Sequence, residues 1–193
     1  MRWVAGPLLA LGVLSAGVQA SEPPDFDRPG FEVGPQGGAY HHTPTGYASS
    51  YPAWGFFVGG ELRWRLGEHL GIGGTITYAS ASTNASFAAL GYSETLVTFE
   101  ISWRFVPHPS LRPWLGVGFG LGSLGYSESG GDNPNTGSSF EFQPVRVRAG
   151  VDFTLGRVAL GPWLGWGLEI SDSSLAQPAM SLQIGVRVLL NLG

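Results

Sequence analysis

The sequence predicts an all-β fold: an eight-stranded antiparallel up-and-down transmembrane β-barrel. Three observations predict it. Stretches of about ten residues alternate apolar and polar along most of the chain, which is the length of a tilted membrane-spanning strand. The polar members of these stretches hold most of the arginines, whereas the apolar members carry no charge. The connections alternate between very short turns and longer segments rich in Ser, Gly and Asn.

The chain opens with MRWVAGPLLALGVLSAGVQA, residues 1–20. Arg2 supplies a positive start, an apolar run follows, and Ala20 is a small residue before a cut, the pattern of a cleavable signal peptide. The apolar run is shorter than the ~20 residues of a spanning helix. Residues 21–30, SEPPDFDRPG, read as a Pro-rich acidic periplasmic lead-in. The barrel is expected over 31–193.

Successive side chains of a strand point to opposite faces. Residues 56–66 set Val58, Leu62 and Trp64 against Glu61, Arg63 and Arg65. Residues 70–79 set Ile72, Ile76 and Tyr78 against Thr75 and Thr77. Residues 94–105 set Val97, Phe99, Ile101, Trp103 and Phe105 against Glu100 and Arg104. Residues 114–122 set Leu115, Val117, Phe119 and Leu121 against a row of glycines. In 145–153, VRVRAGVDF, the valines and Phe153 oppose Arg146, Arg148 and Asp152. Residues 158–170 set Leu160, Leu164, Trp166 and Ile170 against Gly161, Gly165, Gly167 and Glu169. Residues 180–190 set Leu182, Ile184, Val186 and Val188 the other way from Gln183 and Arg187.

Parity supplies the eighth strand. The short connections, 67–69, 106–112 and 155–157, belong together at one end, so a strand must precede 56–66. Residues 31–40, FEVGPQGGAY, take that place. The long connections, 80–93, 126–141 and 171–179, then cluster at the outer end and read as surface loops.

The alternation leaves open which face looks outward, and the charges decide it. The polar faces carry Glu61, Glu94, Glu100, Asp152 and Glu169 with Arg63, Arg65, Arg104, Arg146, Arg148 and Arg187. All ten basic residues are Arg, and only 12% of the chain is charged, about half the usual share. A water-facing surface would mix Arg with Lys. An enclosed interior favours Arg, whose fork of five donors satisfies several carboxylates at once. The arginines are therefore expected inside and the apolar rows against lipid, where a charge would cost about 2–4 kcal/mol. Gly116, Gly118, Gly120, Gly122, Gly161, Gly165 and Gly167 make room for them in a lumen just wide enough for side chains. Trp64, Trp103, Phe105 and Phe153 toward the short turns, with Tyr78 and Trp166 toward the long loops, form an expected aromatic girdle.

These residues resemble the small eight-stranded outer-membrane barrels of the OmpA, OmpX and OmpW kind. The resemblance covers about residues 31–192 and rests on pattern and the signal peptide. It implies a bacterial outer-membrane protein that meets outer-membrane lipid and the barrel-assembly machinery. Barrels of that kind close on an aromatic residue, whereas this chain reads LLNLG.

The absence of Cys excludes thiolate metal sites, thiol catalysis and an acyl anchor. The net charge of -4 argues against a nucleic-acid partner, which needs a basic face. GVGFGLG is not a phosphate loop, because no strand–turn–helix context surrounds it. His69 and His108 fall in short turns, and His41 and His42 fall in the first outer loop. Adjacent strand-like positions would point the latter two apart, which argues against a metal pair. No catalytic, cofactor or metal residue is expected. The expected role is structural or in surface interaction, as a monomer. Two alternatives remain: a small barrel enzyme acting on outer-membrane lipid, and a secreted lipocalin-like barrel binding a small hydrophobe.

Overall fold

The fold comes from a computed structural model that describes residues 29–44, 53–83, 89–105, 110–129, 135–171 and 178–192. Residues 1–20 and nearly all of the 21–30 lead-in lie outside these. Eight strands follow in order: β1 (Gly30–Pro44), β2 (Ala53–Arg65), β3 (Leu70–Ser82), β4 (Ala89–Arg104), β5 (Leu111–Ser129), β6 (Asn135–Leu155), β7 (Val158–Ser171) and β8 (Ala179–Asn191). Each strand pairs antiparallel with its chain neighbours, and β1 pairs with β8, so the sheet closes into a barrel. Closure pairs every edge, which a spanning sheet requires because lipid offers no hydrogen bonds.

The short end of the barrel follows the expected turns. Leu66 N–H donates to the Leu70 carbonyl at 2.9 Å across the β2–β3 turn. Gly156 has φ 59°, the left-handed turn conformation that suits glycine. The β4–β5 connection is tighter than expected on one side: Leu111 and Arg112 open β5 rather than ending a turn.

The long-loop end departs from expectation. β3 and β4 extend into 80–93, and β5 and β6 run through most of 126–141. β1 begins at Gly30 and continues to Pro44, so His41 and His42 are strand residues, not loop residues. These extensions are rich in Ser, Thr and Gly. They lack the apolar rows that mark a lipid-facing strand, so the alternation that reveals the transmembrane part fades there.

β6 also contains an irregularity that the sequence pattern starts beyond. Its partners shift between Phe142 and Val145 on the β7 side and between Gly118 and Gly120 on the β5 side. Both shifts place one extra residue in β6 around Pro144, which has no N–H to give the ladder. Odd residues Glu141 and Gln143 point inward before the bulge, and even residues Arg146 and Arg148 do so after it.

The outer surface is apolar. Val58, Leu62, Ile76, Ile101, Val117, Leu164 and Ile184 are all exposed, as are Trp64, Tyr78, Trp103, Phe105, Phe153 and Trp166. An apolar surface of this extent fits hydrocarbon and not water. The interior is polar, with a small apolar cluster of Tyr40, Phe57, Trp114, Trp163 and three alanines. This corrects the lipocalin-like alternative, which needs an apolar interior.

Candidate functional site

The interior is the chemically distinctive part of the molecule. Among the described residues, seven carboxylates are buried: Glu32, Glu61, Glu94, Glu100, Glu141, Asp152 and Glu169. Seven guanidiniums are buried with them: Arg63, Arg65, Arg104, Arg112, Arg146, Arg148 and Arg187. Isolated buried charges would be prohibitive, so their pairing decides whether the arrangement is tolerable.

Glu61 of β2 is the hub. It accepts from Arg63 Nη2 at 2.6 Å, from Arg187 Nη1 at 2.9 Å and from both Arg148 Nη atoms at 3.3 Å. These donors come from β2, β8 and β6, so the contact spans the lumen. Arg148 also grips Glu100 through Nε at 2.6 Å and Nη2 at 2.9 Å, a two-point fork. Its Nη1 donates to Gln36 Oε1 at 3.0 Å. Arg187 holds Asp152 in a second fork at 3.0 and 2.7 Å.

Aromatic rings line the same layer. Arg187 Cζ lies 3.7 Å from the Trp114 ring centroid, and Arg148 Cζ lies 5.0 Å from that of Trp163. Glycines opposite leave the space. A Cβ on Gly116 would collide with the Glu100 carboxylate, and one on Gly165 would stand 2.7 Å from Trp163 Cζ3 and 3.3 Å from Arg148 Cγ.

Toward the short turns, Arg104 Nη2 donates to both oxygens of Glu32 at 2.8 and 2.6 Å. Arg65 Nη1 lies 3.7 Å from Glu32.

The long-loop end is different. Tyr40 O–H donates to Glu94 Oε2 at 2.6 Å, and His42 Nδ1 lies 3.0 Å from Glu169 Oε2. Gln143 Nε2 donates to Glu169 Oε1 at 3.0 Å. Arg146, the guanidinium at this level, gives Nη2 to Gln183 Oε1 at 2.6 Å. Glu94, Glu141 and Glu169 each offer an oxygen, and these lie within 4.8 Å of one another.

All of Glu61, Arg63, Arg65, Glu94, Glu100, Arg104, Arg146, Arg148, Asp152, Glu169 and Arg187 therefore lie inside, but not as one network. The middle set converges on Glu61 and Glu100, while Arg104 and Arg65 meet Glu32. Sequence reading misses Glu32, Arg112, Glu141 and His42. Glu32 lies in the least regular strand, Arg112 falls in an expected turn, and Glu141 and His42 fall in expected loops. Gln36, Gln143 and Gln183 carry no charge to flag them. His69, placed in a short turn, stacks on Trp103 at 5.2 Å, with Nδ1 2.9 Å from the Arg104 carbonyl. His108 lies outside the described residues.

A closed up-and-down barrel that is oily outside and ionic inside defines an integral membrane β-barrel. The chain belongs to the outer membrane protein beta-barrel domain family, whose model matches residues 7–171. Among solved structures it is similar to Neisserial surface protein A (NspA), at 15% identity and a TM-score of 0.59 over 83% of this chain and 96% of that one. It is also similar to a major outer membrane protein from Thermus thermophilus, at 12% identity and a TM-score of 0.50 over 85% of this chain and 99% of that one. At these identities the likeness concerns the fold alone. No curated protein matches the sequence.

Proposed function

We propose that this chain is a monomeric outer-membrane barrel with a structural or surface-interaction role and a lumen closed to solutes. The meeting of Arg63, Arg148 and Arg187 on Glu61 carries the reading, because paired side chains from three strands fill the cross-section there. An eight-stranded lumen is only wide enough for such filling. Residues 1–20 direct export and are cleaved, the assembly machinery inserts the barrel, and lipid contacts the apolar band. Trp64, Tyr78, Trp103, Phe105, Phe153 and Trp166 anchor that band at the headgroups. The segments 80–93, 126–141 and 171–179 present the surface that partners would meet. The β5–β6 hairpin suits this role: its ladder continues to the Glu128–Asn135 pair, beyond Glu141–Ser171, where the β6–β7 ladder begins.

The test joins fractionation to conductance. The folded protein should partition with outer membranes, shift its gel mobility on boiling and leave a planar bilayer non-conducting. Steady single-channel currents from the wild type would overturn the closed lumen, and a soluble fraction would overturn the membrane reading.

One observation favours the enzymatic alternative. On the outward face of β1, His41 Nδ1 lies 3.1 Å from the Ala53 carbonyl and its Nε2 lies 3.1 Å from Thr43 Oγ1. A carbonyl only accepts, so Nδ1 carries the proton and Nε2 is free to take one from the hydroxyl. That is a nucleophile–base pair at the lipid-facing rim. Mass spectrometry of outer-membrane lipid with and without the wild type and Thr43→Ala tests it. A mass change that Thr43→Ala abolishes would replace the non-enzymatic reading.

A further inference from the structure

Charge is balanced over the whole interior but not along it. Among the described residues, Glu94, Glu141 and Glu169 share the long-loop end with one buried guanidinium, Arg146, which donates to Gln183. Glu32, Glu61, Glu100 and Asp152 occupy the rest with six, Arg63, Arg65, Arg104, Arg112, Arg148 and Arg187. Even with His42 beside Glu169, the long-loop end therefore holds more carboxyl groups than basic ones, away from water.

Hydrogen bonds relieve it only in part: Glu94 Oε2 accepts from Tyr40 and Glu169 Oε1 from Gln143. Glu141 is 1% exposed, and neither of its carboxylate oxygens accepts a hydrogen bond. Glu94 Oε1 accepts none either. Buried carboxylate oxygens without donors are costly, and native structures satisfy them with protons, waters or ions. Both Glu141 oxygens are left over at the point where Glu94 and Glu169 also present theirs.

We propose that Glu94, Glu141 and Glu169 bind one divalent cation of the calcium class inside the barrel. Hard oxygen donors select such an ion over softer metals. Ca²⁺ binds oxygen at about 2.3–2.6 Å, so two ligands on opposite sides of it stand roughly 5 Å apart. The carboxylate oxygens already lie within 4.8 Å of one another. Tyr40 and His42 act as orienting groups, since their polar atoms hold Glu94 at 2.6 Å and Glu169 at 3.0 Å. The ion ties β4, β6 and β7 together at the end where the strands leave the membrane.

The test uses protein folded in zwitterionic detergent free of lipopolysaccharide, stripped with chelator and dialysed against Ca²⁺. Wild type should retain about one Ca²⁺ per chain, and Glu141→Gln and Glu169→Gln should lose it while keeping the gel mobility of a folded barrel. Tb³⁺ bound there should luminesce through Tyr40 and through Tyr92, whose ring centroid lies 5.0 Å from that of His42, and Ca²⁺ should extinguish the signal. A folded wild type that retains no Ca²⁺ and gives no displaceable Tb³⁺ signal overturns the site, because the carboxylates then share protons. Retention unchanged in both folded variants also overturns it, by placing the ion elsewhere. Should Glu141→Gln fail to fold, Glu94→Gln and the wild-type Tb³⁺ titration decide in the same way.

Discussion

The guanidinium of Arg187 lies 3.7 Å from the Trp114 ring centroid while its Nη1 donates to Glu61 at 2.9 Å. One cation thus serves a π face and a carboxylate in a space without bulk water. A desolvated cation–π contact is worth about 2 kcal/mol. A double-mutant cycle with Trp114→Leu and Arg187→Met should give a coupling of that order in denaturant unfolding from detergent micelles. Additive single effects would contradict the contact.

Glu61 is the carboxylate whose removal should cost most. Glu61→Gln leaves the charges of Arg63, Arg148 and Arg187 facing one another in the lumen. Breaking a buried pair from one side costs about 3–5 kcal/mol. The unfolding midpoint should fall accordingly, and a loss below about 1 kcal/mol, the range of exposed pairs, would show that water reaches the site.

Because the network is buried, added salt should hardly touch it. Exposed ion pairs weaken as the Debye length falls from about 10 Å at 0.1 M to about 3 Å at 1 M, whereas buried pairs are screened much less. Unfolding curves at the two salt concentrations should nearly superimpose. A large drop at high salt would mean that the lumen is wet.

Gly116→Ala tests the packing directly. A Cβ there collides with the Glu100 carboxylate that Arg148 holds in its fork. Overpacking of this kind costs about 1–3 kcal/mol, readable as a lower temperature for the heat-induced mobility shift. Gly156→Ala should also destabilise, but by backbone strain at φ 59° rather than by collision.

Leu164→Arg places a charge on the outward face midway along β7, opposite Ile184. At the bilayer midplane this costs about 2–4 kcal/mol, and near an interface about 0–1 kcal/mol. Refolding into vesicles should suffer for Leu164→Arg and barely change for Leu155→Arg beside the short turn.

Alternation made the lipid-facing face legible in β2 to β8, because every outward position between the interfaces must be apolar while the inward ones are free to vary. Parity located β1 even though its own alternation is weak. The strand extensions beyond the membrane were not legible, since nothing there demands apolar residues. The bulge at Pro144 breaks the alternation that would carry β6 back to Gln143 and Glu141, so the pattern starts at Val145 and Glu141 reads as loop. The partners within the lumen were not legible either. Arg148 meets Glu61 across 87 positions of chain, and that meeting depends on how far the strands are staggered around the barrel, which composition does not encode.

The sealing of the arginines has a practical corollary. With no lysine anywhere in the chain, trypsin can cut only after arginine. Among the described residues, Arg157 in the β6–β7 turn is the exposed one, and the other seven are enclosed. A folded barrel should therefore survive digestion nearly whole, and an unfolded one should fall to short peptides. The enzyme thus becomes a gauge of the folded fraction that needs no label.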